Sequence, residues 1–151
     1  MCNEQLAEEI DVELQMLRDH LEEFSDLRQN IHQKVHNYIE IMALAGMLHA
    51  FYNGVENIFK RIAIHCDGSS PSGAAWHQNL LKSMTVNTEN RRAVISEELR
   101  EKLRDYLDFR HFFRQSYSFQ FNWEKMAYLV ENLEETFEAV ESKLQEFLEK
   151  P

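Results

Sequence analysis

The chain has 151 residues, a formal net charge of −10, and only 4 glycines and 2 prolines, which is the size of one domain with a composition suited to helices rather than a turn-rich sheet. The acidity excludes a non-specific nucleic-acid coat, because phosphate binding draws on clustered Lys and Arg, so any RNA contact has to be local. The start MCNEQLAEEI has no apolar signal-peptide core and no run approaches the ~18 apolar residues of a membrane span, so a single cytoplasmic domain over 1–151 with no membrane association is expected.

The first segment places Leu6, Ile10, Leu14, Leu17, Leu21, Phe24 and Ile31 on one stripe and predicts a helix. The second, from about His36 to Cys66, is apolar on more than one side, as expected of a central, buried helix. Asp67 to Gly73 is the clear breaker, with Gly68 placed as a helix C-terminal residue and Pro71 forbidding continuation. A short helix from about Ala74 to Met84 follows, then a loop from Thr85 to Ile95, which has no apolar period. Ser96 is a plausible N-cap for a helix running to about Tyr117, and Asn122 for a last helix carrying Trp123, Met126, Val130, Leu133, Phe137, Val140, Leu144 and Phe147. The expectation is all-α: an up-and-down bundle of four long helices plus one short one.

Common catalytic signatures are absent from the sequence. There is no Gly-rich phosphate loop, no Gly-x-Ser-x-Gly elbow, and no pair of Glu-x-x-His motifs for a di-iron site. His32 and His36 are spaced to share a helical face, but no third ligand accompanies them, so no metal or other cofactor is expected. Cys2 and Cys66 form no Cys-x-x-Cys motif and are read as free thiols.

The informative stretch runs from Tyr106 to Phe119. On a continuous helix Arg110, Arg114 and Tyr117 align within about 40°, two fixed cations ending in a phenol, an arrangement suited to a phosphate. His49, Asn53, Glu56 and Asn57 interrupt the apolar second helix at spacings of three and four, either as a second wall of the site or as bonds between helices. Phe109, Phe112, Phe113, Phe119 and Phe121 are expected in the core or a dimer interface rather than as base-stacking platforms.

This stretch resembles the Arg-x4-His-x-Tyr motif of the HepT-like HEPN ribonuclease toxins, with Arg110 matching the Arg and Tyr117 the Tyr. The segments His49 to Arg61 and Trp76 to Met84 also resemble the longer HepT-like proteins. The resemblance implies a helical bundle that forms a homodimer with two motifs facing one cleft, and metal-free cleavage of RNA. It further implies a minimal nucleotidyltransferase antitoxin (MNT) as partner and nucleotidylation of Tyr117 as regulation. One position departs from the motif: Gln115 stands where the His should fall. An amide neither titrates nor transfers protons at neutral pH, although it can bond a phosphate. His111 is the nearby substitute, but it follows Arg110 directly and points roughly 100° away on an ideal helix. Two functions therefore stand side by side. One is an endoribonuclease using Arg110, His111 and Gln115, with Arg114, His49, Asn53 and Glu56 binding substrate; the other is a catalytically weakened dimer that serves as partner or substrate of a nucleotidyltransferase through Tyr117.

Overall fold

The computed structural model describes residues 4–30, 37–117 and 121–149. Helix α1 (Glu4–Glu23) buries Leu6, Ile10, Leu14, Leu17 and Leu21, the expected stripe. The stripe does not run on unbroken: the chain turns at Phe24 into the short α2 (Ser25–Gln29). Arg28 stabilises that turn by donating from Nε and Nη2 to the Leu21 carbonyl at 3.3 and 2.9 Å, one of the acceptors a helix end leaves unpaired.

Helix α3 (Tyr38–Ile62) starts at a reciprocal capping box. Asn37 Oδ1 accepts from the Glu40 amide at 2.8 Å and Glu40 Oε1 accepts from the Asn37 amide at 3.2 Å. A π-helical turn (Ala63–Asp67) extends α3 and ends at Gly68, whose φ of 85° is the left-handed conformation that glycine adopts without strain. As its apolar composition predicts, α3 is central: it packs against α1, α5, α6 and the short α4 (Trp76–Ser83). The α1–α3 crossing is close because position 54 is glycine; a Cβ there would lie 2.9 Å from Leu17 Cγ. The two helices run antiparallel, with Arg61 3.2 Å from both Glu9 and Glu13, and His65 3.1 Å from Glu9.

Cys66, buried in the π-helical turn, is disulfide-bonded, so the expectation of free thiols is wrong for this residue. The antiparallel packing brings the beginning of α1 to the end of α3, a proximity that sequence separation does not reveal. The 85–95 connection is irregular, as expected, apart from an isolated bridge between Thr88 and Arg91. Its order comes from Arg91, whose side chain is fully buried and donates to Asp67 at 2.9 Å and to the carbonyls of Val86, Arg92 and Ser83 at 3.0, 3.1 and 3.2 Å.

Helix α5 (Glu97–Gln115) is capped by Ser96, which accepts from the Leu99 amide at 3.1 Å. Asn122 caps the next helix in the same way through the Lys125 amide at 3.0 Å. The expected single last helix is two: α6 (Trp123–Glu131) and α7 (Leu133–Glu149). At the break, the Asn132 side chain donates to the Tyr128 carbonyl at 2.8 Å, a local bond that competes with regular helix. The apolar stripe crosses this break intact, since Met126, Val130, Leu133, Phe137, Val140, Leu144 and Phe147 are all buried. Among the described residues the architecture is an all-α bundle without strands, and no helix is long and apolar enough to cross a membrane. Cys2, Ile31, the His32/His36 pair and Phe119 lie outside the described residues.

Candidate functional site

Helices α3 and α5 pack antiparallel, so the polar residues of one reach the basic residues of the other. Arg110 is buried to 9 % exposure, and its Nε donates to Asn53 Oδ1 at 2.5 Å. A guanidinium only donates, so the amide oxygen of Asn53 must face it and the amide nitrogen must face away. That nitrogen, Nδ2, lies 3.0 Å from His49 Nε2. The imidazole therefore accepts at Nε2 and carries its hydrogen on Nδ1, which is buried without a partner among the described residues. Burial, with the charges of Arg110 and Arg114, holds the His49 pKa below its ordinary value, in agreement with a neutral ring that accepts. The His49 ring also stacks on Phe113, with centroids 4.5 Å apart.

One turn along α3, Glu56 is buried and accepts from His77 Nδ1 of α4 at 2.7 Å. Trp76 stacks against the His77 ring at 3.6 Å, and Lys60 Nζ sits 5.0 Å from the Trp76 centroid. Between α4 and α5 lies an open cleft of about 140 Å³ whose walls include His77, Gln78, Asp108, Arg110 and His111. Both members of the Arg110–His111 pair thus border one cavity, despite their divergence on an ideal helix. Tyr52 is buried in the same region; burial, with the Glu56 carboxylate near it, pushes its phenol well above the usual range and keeps it protonated.

The remaining expected residues divide. Arg114 and Gln115 are exposed at the end of α5. Tyr117 is 72 % exposed but does not extend the Arg110–Arg114 line, because α5 ends at Gln115 and Ser116 is extended with ψ 152°. The expected helical alignment of Tyr117 is therefore corrected. Asn57 is exposed and stands apart from the Arg110 and Glu56 bonds. Phe109, Phe112, Phe113 and Phe121 form one aromatic cluster, with Phe113 and Phe121 stacked at 5.3 Å. Among the described residues no group of three or more His, Cys, Asp or Glu is arranged to hold a metal ion. The residue that spacing did not reveal is His77. It stands 21 positions from Glu56, and only the packing of α4 on α3 brings the two together.

No curated protein and no solved structure matches the sequence. The family model described as HepT-like protein matches residues 43–150, which takes in the central helix from residue 43 on, the His77 helix and all of α5. The chain belongs to the HepT-like HEPN family.

Proposed function

We propose that the protein is the toxin component of a HEPN/MNT toxin–antitoxin pair: a metal-independent endoribonuclease that acts as a homodimer and is regulated by nucleotidylation at Tyr117. The observation that carries this reading is Arg110, oriented by Asn53 on the wall of an open cleft that also contains His111. Such a guanidinium is positioned to bind an RNA phosphate and to stabilise the charge that develops on it during cleavage. The scissile step needs no cofactor. The ribose 2′-oxygen attacks the adjacent phosphorus and gives up its proton, while the 5′-oxygen leaves and gains one, yielding a 2′,3′-cyclic phosphate and a 5′-hydroxyl end.

Gln115 favours a second reading, in which the dimer retains the fold but cuts RNA weakly and serves chiefly as partner or substrate of the nucleotidyltransferase. A test on labelled single-stranded RNA separates the two. The ribonuclease reading expects cleavage that Arg110→Ala abolishes and that Gln115→His raises by about 10²-fold or more, the usual contribution of a placed general acid or base. A purified dimer that leaves RNA intact, with or without Gln115→His, supports the binding role instead.

A further inference from the structure

We propose that His77, held by Glu56, is the general base of the Arg110 cleft, taking the proton from the ribose 2′-hydroxyl that the missing motif histidine would otherwise serve. The assignment rests on the ribonuclease reading and names a residue for one of its steps.

A carboxylate oxygen only accepts, so the 2.7 Å contact between Glu56 Oε2 and His77 Nδ1 places the ring hydrogen on Nδ1. Nε2, on the opposite edge of the ring, is then left with the lone pair that a base needs. The Glu56 side chain is 5 % exposed and that of His77 28 %, so the carboxylate is inside the bundle and the imidazole is at the surface of the cleft. This is the orientation by which a buried carboxylate sets the tautomer of a catalytic histidine. Trp76 stacked on the ring fixes its plane. His77 and Arg110 are walls of the same cavity, and its volume of about 140 Å³ is below the ~300 Å³ of small ligand pockets. Such a volume is enough for the reacting phosphate, with the rest of the RNA lying outside the open cleft.

His49 is another imidazole near Arg110, and its geometry disqualifies it, because Nε2 is occupied by Asn53 and Nδ1 is buried. The step balances within the cleft. His77 Nε2 takes the 2′-hydroxyl proton as the 2′-oxygen bonds to phosphorus, Arg110 holds the phosphate oxygens, and the departing 5′-oxygen is protonated from His111 or from water. The charged and titratable groups around His77 are Glu56 and Lys60 from α3, and Asp108, Arg110 and His111 from α5. Glu56 is a positioning residue: by accepting from Nδ1 it sets the ring's orientation and tautomer.

The test uses the full-length protein and a 5′-labelled single-stranded RNA of mixed sequence, with helical circular dichroism as a check on folding. His77→Ala should slow cleavage by at least about 10²-fold while leaving RNA affinity within about twofold, and added imidazole should restore part of the rate. Glu56→Gln keeps an acceptor for Nδ1, so it should retain more activity than His77→Ala, whereas Glu56→Ala, which leaves Nδ1 without that acceptor, should lose more of the rate than Glu56→Gln while RNA affinity is unchanged. If His77→Ala fails to fold, His77→Gln replaces it, with the same loss of rate and the same retained RNA affinity expected. Cleavage by the His77 variants at the wild-type rate, with Arg110→Ala inactive, overturns the assignment and leaves the ribonuclease reading standing. Cleavage by the wild type that is unaffected by Arg110→Ala, or no cleavage at all, overturns the ribonuclease reading and the assignment with it.

Discussion

The hydrogen bonds from Arg110 through Asn53 to His49 run in one direction only, and this polarity has a consequence for acid stability. The native state holds His49 neutral by burial and by the charges of Arg110 and Arg114, below the ordinary value of 6.5. An unfolded chain takes up that proton near 6.5, whereas the native protein resists it to lower pH. The contribution of His49 to stability is therefore complete above about 6.5 and is lost as the pH falls through the depressed native value. Urea unfolding should show a drop in midpoint between pH 7.5 and pH 5 that is smaller in His49→Gln, which keeps an acceptor for Asn53; equal drops would show that His49 is not the group responsible. Tyr117 poses a different question, since it lies beyond the end of α5 and is largely exposed. Exposure makes its phenol accessible to a partner enzyme, and an attached AMP would place a bulky anion near the Arg114 end of the helix. Intact-mass spectrometry after incubation with the cognate nucleotidyltransferase and ATP should give an AMP adduct that Tyr117→Phe abolishes. Persistence of the adduct in that variant would move the site elsewhere.

Elements are held at different distances by different means, and the closest approach is the crossing of α1 and α3 at Gly54. Leu17 occupies the space where a side chain would start, so Gly54→Val forces α1 outward or drives Leu17 from its rotamer. Overpacking of this kind costs about 1–3 kcal/mol, which exceeds the modest helix-propensity gain of replacing glycine. The expected result is a lower denaturation midpoint with unchanged helical content at room temperature; a midpoint at or above that of wild type would mean that α1 shifts without cost. Helix α1 lies outside the family match, which begins at residue 43, yet it covers one side of the central α3. The opposite side of α3 carries the polar residues that meet α5 and α4, so displacement of α1 should affect stability before it affects the Arg110 cleft.

At the scale of the molecule, the antiparallel pair α3/α5 places the first turn of α3 and the last residues of α5 at the same end of the bundle. Ile39 is 77 % exposed there, and Tyr38 beside it is also exposed. An apolar end of this kind fits the proposed homodimer, whose second copy would cover it. Multi-angle light scattering at tens of micromolar should give twice the 18.0 kDa chain mass, and Ile39→Asp should shift the equilibrium toward the monomer without lowering helical content. A persistent monomer in the wild type would remove the shared cleft and require each Arg110 to act alone.

Local pattern determined the helices because burial of one face repeats every three or four residues whatever the neighbour is. Hence the α1 stripe, the central α3, the Ser96 and Asn122 caps and the Gly68 terminus were all legible before any packing was known. Arg110 was legible for another reason, the spacing that it shares with a motif on its own helix. Packing decided the rest. The bond from Glu56 to His77 and the stapling of the 85–95 loop by Arg91 join residues from separate elements, and helical periodicity says nothing about which faces meet. Even the expected line from Arg110 to Tyr117 failed for a physical reason: it assumed that the helix continues, whereas the backbone becomes extended at Ser116.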